Sequence, residues 1–136
     1  MLSIQKYPKW LLRLPALLIV ITLWILSSRS ALPTVRTELP IDKLEHLIAY
    51  AVLGFSIGLW ISADFWKRHF RIAVLLITII GSVYGLTDEI HQYFTPNRSS
   101  DILDWTADTV GSFIGAMALM LVLRKPEQRK PAEAAK

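Results

Sequence analysis

The chain has 136 residues, 53% of them apolar and 19% charged, with a net charge of +4 and no cysteine. That length holds one domain rather than two soluble ones, and neither a disulfide frame nor a thiolate metal site can be built. The basic excess does not make a nucleic-acid surface, because the lysines and arginines fall at the ends of apolar blocks rather than in one stripe.

A short head with Lys6, Lys9 and Arg13 leads into the first apolar block, from about Trp10 to Leu26. Three more follow, from about His46 to Ile61, Ile72 to Leu86 and Trp105 to Leu123. A soluble four-helix bundle would carry charge along one face of every helix. Here the charges sit between the blocks, so lipid is the expected solvent. Each core is roughly 15–19 residues, short for a bilayer, and flanking amphipathic turns bring all four into range.

The pattern predicts an all-α, polytopic membrane protein, a four-transmembrane-helix bundle. Its parts are a head at 1–9, a first helix at 10–27, an outer loop at 28–41, and helices at about 43–62, 71–91 and 102–123. A disordered tail at 124–136, with Pro126 and Pro131, completes it. The third block is the weakest span alone. Ser28-Arg29-Ser30-Ala31 loosely resembles a signal-peptide cleavage site, but the apolar run is long and the site poor, so a retained helix is expected.

Basic residues set the orientation. The head, the segment after the second block (Lys67, Arg68, Arg71) and the tail (Arg124, Lys125, Arg129, Lys130, Lys136) hold eleven, against four (Arg29, Arg36, Lys43, Arg98) in the other two loops. Head, tail and second loop are therefore expected in the cytoplasm of a cell with this protein in its inner membrane. Eight of the eleven acids, Glu38, Asp42, Glu45, Asp88, Glu89, Asp101, Asp104 and Asp108, then fall on the opposite face. Trp10, Trp60, Trp66 and Trp105 lie near the predicted interfaces, where amphipathic rings belong.

The last three blocks each carry a small-xxx-small glycine pair: Gly54 with Gly58, Gly81 with Gly85, and Gly111 with Gly115. Such pairs let helix backbones approach closely in lipid, which predicts a tight unit of these three helices and a peripheral first one. Chance spacing in apolar sequence is the competing reading.

Two polar clusters carry the chemistry. In residues 40–50, Asp42, His46 and Tyr50 recur every four residues and continue to Gly54, so they share one helical stripe, with Lys43 on a neighbouring face. Helix capping accounts for Asp42 and Glu45 but not for a histidine on the glycine stripe. In residues 86–108, Asp88 and Gln92 share a face with Glu89 beside them, Thr95-Pro96-Asn97 breaks the helix, and Asp101, Asp104 and Asp108 descend the fourth block. Capping covers Asp101, whereas Asp108 lies about a turn inside a segment that must cross lipid, where an ionisable group is functional by default. His91 falls on another face, which suits a headgroup or loop role. Arg98, the one basic residue of this segment, is expected to be held by surrounding acids. So many acids cannot all stay ionised in a half-dry pocket; some must be protonated, paired or bound to a divalent metal such as magnesium, calcium or zinc. No run such as His-Glu-x-x-His defines a ligand set.

In this order the clusters resemble the VanZ-like family, named after a glycopeptide-resistance membrane protein. The resemblance covers about residues 40–115: Asp42, Lys43 and His46 with Tyr50 and Gly54; then Asp88, Glu89, Gln92, Phe94, Pro96 and Arg98; then Asp104, Asp108, Gly111 and Gly115. Many relatives carry Asn where this chain has Asp108. The resemblance implies a small multi-helix membrane domain of the bacterial envelope, with a member linked to reduced teicoplanin susceptibility, and no settled reaction.

The polar site expected is Asp42, His46, Asp88, Glu89, Gln92, Arg98, Asp104 and Asp108, with Asp88, Glu89 and Asp104 as acid/base groups or metal ligands and Lys43, Tyr50 and Arg98 holding an anionic group such as phosphate. A cell-wall or lipid-linked precursor is the expected partner, beside the bilayer itself. A non-catalytic module organising or shielding envelope components and a small proton-coupled transporter are the alternatives.

Overall fold

The computed structural model describes residues 7–30 and 41–124. The far ends of the head and tail, and most of the loop expected at 28–41, lie outside the described residues. Four helices follow one another: α1 (Lys9–Ser27), α2 (Ile41–Gly58), α3 (Ala63–Tyr93) and α4 (Ile102–Arg124). α1, α3 and α4 are long and apolar enough to cross a membrane. α2 is equally apolar over most of its length, but Asp42, Lys43 and Glu45 crowd its first turns.

α2 and α4 form the main contact, α3 packs next on α4, and α1 lies outside against α2 and α3. The glycines explain the first two contacts. A Cβ at Gly111 would strike the carbonyl oxygen of Leu47, and one at Gly115 the carbonyl oxygen of Ala51 and, at 2.6 Å, the amide nitrogen of Phe55. Gly54 answers from α2, resting on the backbone of Ser112, and Gly81 on α3 makes room for the Ser112 side chain. Close backbone approach is what small residues provide where lipid supplies no hydrophobic drive. α1 has no such stripe. It is tied to α3 by the Tyr84 hydroxyl, which donates to the Val20 carbonyl at 2.8 Å, and by His91, which stacks on Trp24 with ring centres 4.1 Å apart.

One expectation needs correction. The segment holding Lys67 and Arg68 is not a loop: α3 starts at Ala63, capped by Ser62, runs 31 residues and bends at His69, where φ is −134° and ψ 39°. The basic residues ride on this polar first stretch, where Arg68 pairs with Asp64 four residues earlier at 3.3 Å. Two tryptophans join the packing. Trp66 is buried and donates to the Gly58 carbonyl at 3.0 Å, and Trp105 donates to the Ser82 carbonyl at 3.0 Å, so two indole N–H groups bind helices together.

Outward faces are apolar. Ile72, Leu76, Ile79, Val83, Leu86 and Ile90 stand out from α3, Leu44, Ile48 and Val52 from α2, and Val110, Phe113, Ile114 and Leu121 from α4. Buried Asp88, Glu89, Gln92, Asp104, Asp108 and Ser112 lie inside. An apolar exterior around buried polar groups at one end of an otherwise apolar core departs from the arrangement of a water-soluble bundle.

Candidate functional site

The predicted stripe on α2 points at α4. His46 Nδ1 lies 2.9 Å from Asp108 Oδ1. One turn on, Tyr50 is buried, its ring parallel to that of His46 at 6.4 Å between centres and 6.1 Å from Tyr84. Asp42, at the outer end of the stripe, does not join them. Its side chain is 63% exposed and faces Lys43 at 3.0 Å, a favourable place for an acid at a helix N-terminus.

The end of α3 supplies Asp88, Glu89 and Gln92, all buried. Gln92 Nε2 donates to Asp88 Oδ2 at 3.0 Å, the four-residue pairing their spacing implies. The chain then turns back: Thr95 Oγ1 donates to the His91 carbonyl, and Asn97 takes a left-handed conformation, φ 61°, which asparagine tolerates. Asp101 caps α4, accepting the Leu103 amide at 2.9 Å, while its own amide donates to Glu89 Oε2 at 2.6 Å. The cap fixes where α4 starts, and so where Asp104 and Asp108 enter the bundle.

The two cations exchange the roles expected of them. Lys43 Nζ lies 2.5 Å from Asp101 Oδ2 and 2.7 Å from Asp104 Oδ1, so the lysine of α2 clamps the start of α4. Arg98 makes no ion pair among the described residues. Its Nε and Nη2 donate to the carbonyls of Arg29, just past α1, and of Leu26, in its last turn, at 3.2 Å each. Charge alone cannot choose between acids and carbonyls as partners, so sequence spacing misassigned this residue.

The hydrogen bond from Lys43 holds the Asp101 carboxyl below its ordinary value of 3.8. A depressed value means the link is at full strength above 3.8 and fades as pH falls through the lowered value. Asp101→Asn, which keeps the cap, is expected to lower stability at pH 7 by under about 1 kcal/mol, as for a partly exposed pair. Melting curves of the two proteins should converge on acidification.

Beneath this rim lies the centre. Glu89 Oε1, Asp108 Oδ2, Asp88 Oδ1, Tyr50 Oη and Ser112 Oγ are buried with no hydrogen-bond partner among the described residues. Asp108 is 0% exposed and Glu89 3%. His46, Glu89 and Asp108 each bring one donor atom within 4.8 Å of the others. An opening of about 140 Å³ between α1, α2 and α3 reaches the cluster past Glu45, His46, Tyr50, Asp88, Gln92 and Arg98. Ser112 and Tyr84 were missed by sequence reasoning, although Ser112 continues the four-residue series Asp104, Asp108 and Tyr84 stands four residues before Asp88.

Apolar helices that draw their carboxylates, a histidine and two cations to one end define a membrane-type helical bundle with a terminal polar site. The sequence model of the VanZ/LLP1 family matches residues 6–123, nearly the whole length, and the chain belongs to that family. No curated protein and no solved structure matches it.

Proposed function

We propose that this VanZ/LLP1-family protein spans the bacterial inner membrane four times, with both termini in the cytoplasm, and uses its outer-face site to bind or act on an anionic cell-wall or lipid-linked substrate. The observation that carries this reading is the layering of charge at the mouth. Arg98, held by the carbonyls of Leu26 and Arg29 instead of neutralised by acids, lines one opening together with His46, Asp88 and Gln92. A guanidinium anchored through Nε and Nη2 keeps its remaining N–H donors for a phosphate or carboxylate. Half-buried His46 and buried Glu89 are placed to move protons beneath it. The outward apolar stripe Leu44, Ile48 and Val52 supports α2 as a fourth span, its charged first turns lying at the interface with water.

The two ion pairs that bridge α2 and α4, Lys43–Asp104 and His46–Asp108, favour a second reading: the polar residues lock the helices of a non-catalytic module. Arg98→Ala separates the two. In a strain whose glycopeptide susceptibility responds to the protein, the variant should lose that response while melting within about 1 kcal/mol of wild type, since only hydrogen bonds to the Leu26 and Arg29 carbonyls are lost. Arg98→Lys should recover little, lacking the planar fork. A normal response from Arg98→Ala and Glu89→Gln would sink the binding reading, and a cysteine at Asn97 labelled only from the cytoplasm would sink the orientation.

A further inference from the structure

Resting on that reading of the site, we propose that His46, Glu89 and Asp108 hold a divalent transition cation, manganese or zinc, beneath the mouth of the bundle.

Geometry comes first. One donor atom from each residue lies within 4.8 Å of the other two, and the three come from three different helices. Ligands about 2.1 Å from one ion stand at most about 4.2 Å apart, so seating the ion asks for side-chain shifts of tenths of an ångström. Gly85 prepares the approach: a Cβ there would sit 2.6 Å from Asp108 Oδ2 and 2.8 Å from Asp108 Cβ, so the missing side chain lets this carboxylate lie against α3 one turn before Glu89.

Partnering is the second, independent observation. Glu89 Oε1 and Asp108 Oδ2 are both buried without a hydrogen-bond donor among the described residues, although each carboxylate's other oxygen is satisfied, by the Asp101 amide and by His46. Buried carboxylate oxygens left unmatched are expensive unless something positive meets them. The nearby lysine does not fill that role, since Lys43 Nζ is engaged by Asp42, Asp101 and Asp104 at the rim. Donor chemistry then selects the ion: one imidazole with two carboxylates suits manganese or zinc better than calcium, which prefers oxygen throughout.

The full-length protein, purified in detergent and stripped with a chelator, provides the test. Wild type should take up one Mn²⁺ per chain, read from loss of the free-ion paramagnetic resonance signal, with Zn²⁺ competing. Electron spin-echo spectra of the bound Mn²⁺ should show one imidazole nitrogen. Glu89→Gln and Asp108→Asn should each weaken binding by at least about tenfold, since even residues behind the ligands change affinity by about 10–100-fold. Asp101→Asn, on the rim, should bind as wild type does. Absence of saturable uptake by wild type, or a bound ion without nitrogen coupling, overturns the site without relying on any variant. Arg98→Ala should load normally. If wild type takes no ion while Arg98→Ala still abolishes the susceptibility response, the metal falls and the binding reading stands; normal loading of wild type with a normal response in both Arg98→Ala and Glu89→Gln gives the reverse.

Discussion

Gly115→Ala should be among the most damaging single-methyl additions in the chain. The new Cβ would meet the Ala51 carbonyl oxygen, the Phe55 amide nitrogen at 2.6 Å and the Ala51 carbonyl carbon at 2.9 Å. All three are backbone atoms of α2, which cannot rotate aside as a side chain does, so α2 and α4 must separate along the principal contact of the fold. Overpacking usually costs about 1–3 kcal/mol, and a backbone obstruction belongs at or above the upper end. Gly58→Ala is the control. There the nearest atoms are Leu119 Cδ2 at 2.5 Å and Trp66 Cζ2 at 3.2 Å, side-chain ends able to shift, and a loss near about 1 kcal/mol is expected. Unfolding in mixed micelles with increasing dodecyl sulfate would measure both. Equal stability of the two variants would mean that backbone proximity at Gly115 does not hold the helices together.

The glycine spacing made this contact legible because one residue type, repeated every four positions, has few other uses in an apolar helix. That His46 and Asp108 turn inward to a common polar cluster was legible for a related reason. An ionisable group a turn inside an apolar block must find a partner, and the stripe through His46 and Gly54 is aimed at the glycines of the fourth block. What could not be read was the choice among partners of like sign. Lys43 and Arg98 both border acids in sequence, yet Lys43 reaches Asp101 and Asp104, 58 and 61 positions away, while Arg98 turns to the end of α1. Such choices follow from the relative rotation of packed helices, which hydropathy does not encode. The bend at His69 escaped for a different reason: hydropathy marks where a helix becomes apolar, and the capped polar stretch from Ala63 is helical before it is apolar.

Polar pairing is therefore graded along the bundle. At the rim, Lys43 ties α2 to the start of α4 through partly exposed Asp101 and buried Asp104. Deeper, Asp88 is matched on one oxygen by Gln92 and Glu89 on one by a backbone amide. Each central carboxylate thus has one oxygen held in place and one without a hydrogen-bond partner among the described residues.

His46→Ala should expose how much that positioning is worth. Asp108 has no exposed surface, and His46 Nδ1 is the donor that meets its Oδ1. Removing the imidazole leaves a buried carboxylate with both oxygens unmatched among the described residues. Breaking a buried pair from one side costs about 3–5 kcal/mol, much of it the stranded partner. Asp108→Asn strands nothing of comparable charge and leaves an amide able to meet the ring, so about 1 kcal/mol is expected. The two changes are coupled. In the His46→Ala, Asp108→Asn double variant the second substitution should restore stability rather than remove more, which needs a coupling energy between about 1 and 3 kcal/mol. A cycle with zero coupling would show that these side chains do not sense each other across the α2–α4 contact. Recovered stability without recovered function would instead place their joint importance in the chemistry of the site, because the double variant retains the packed helices and lacks only the imidazole and the charge.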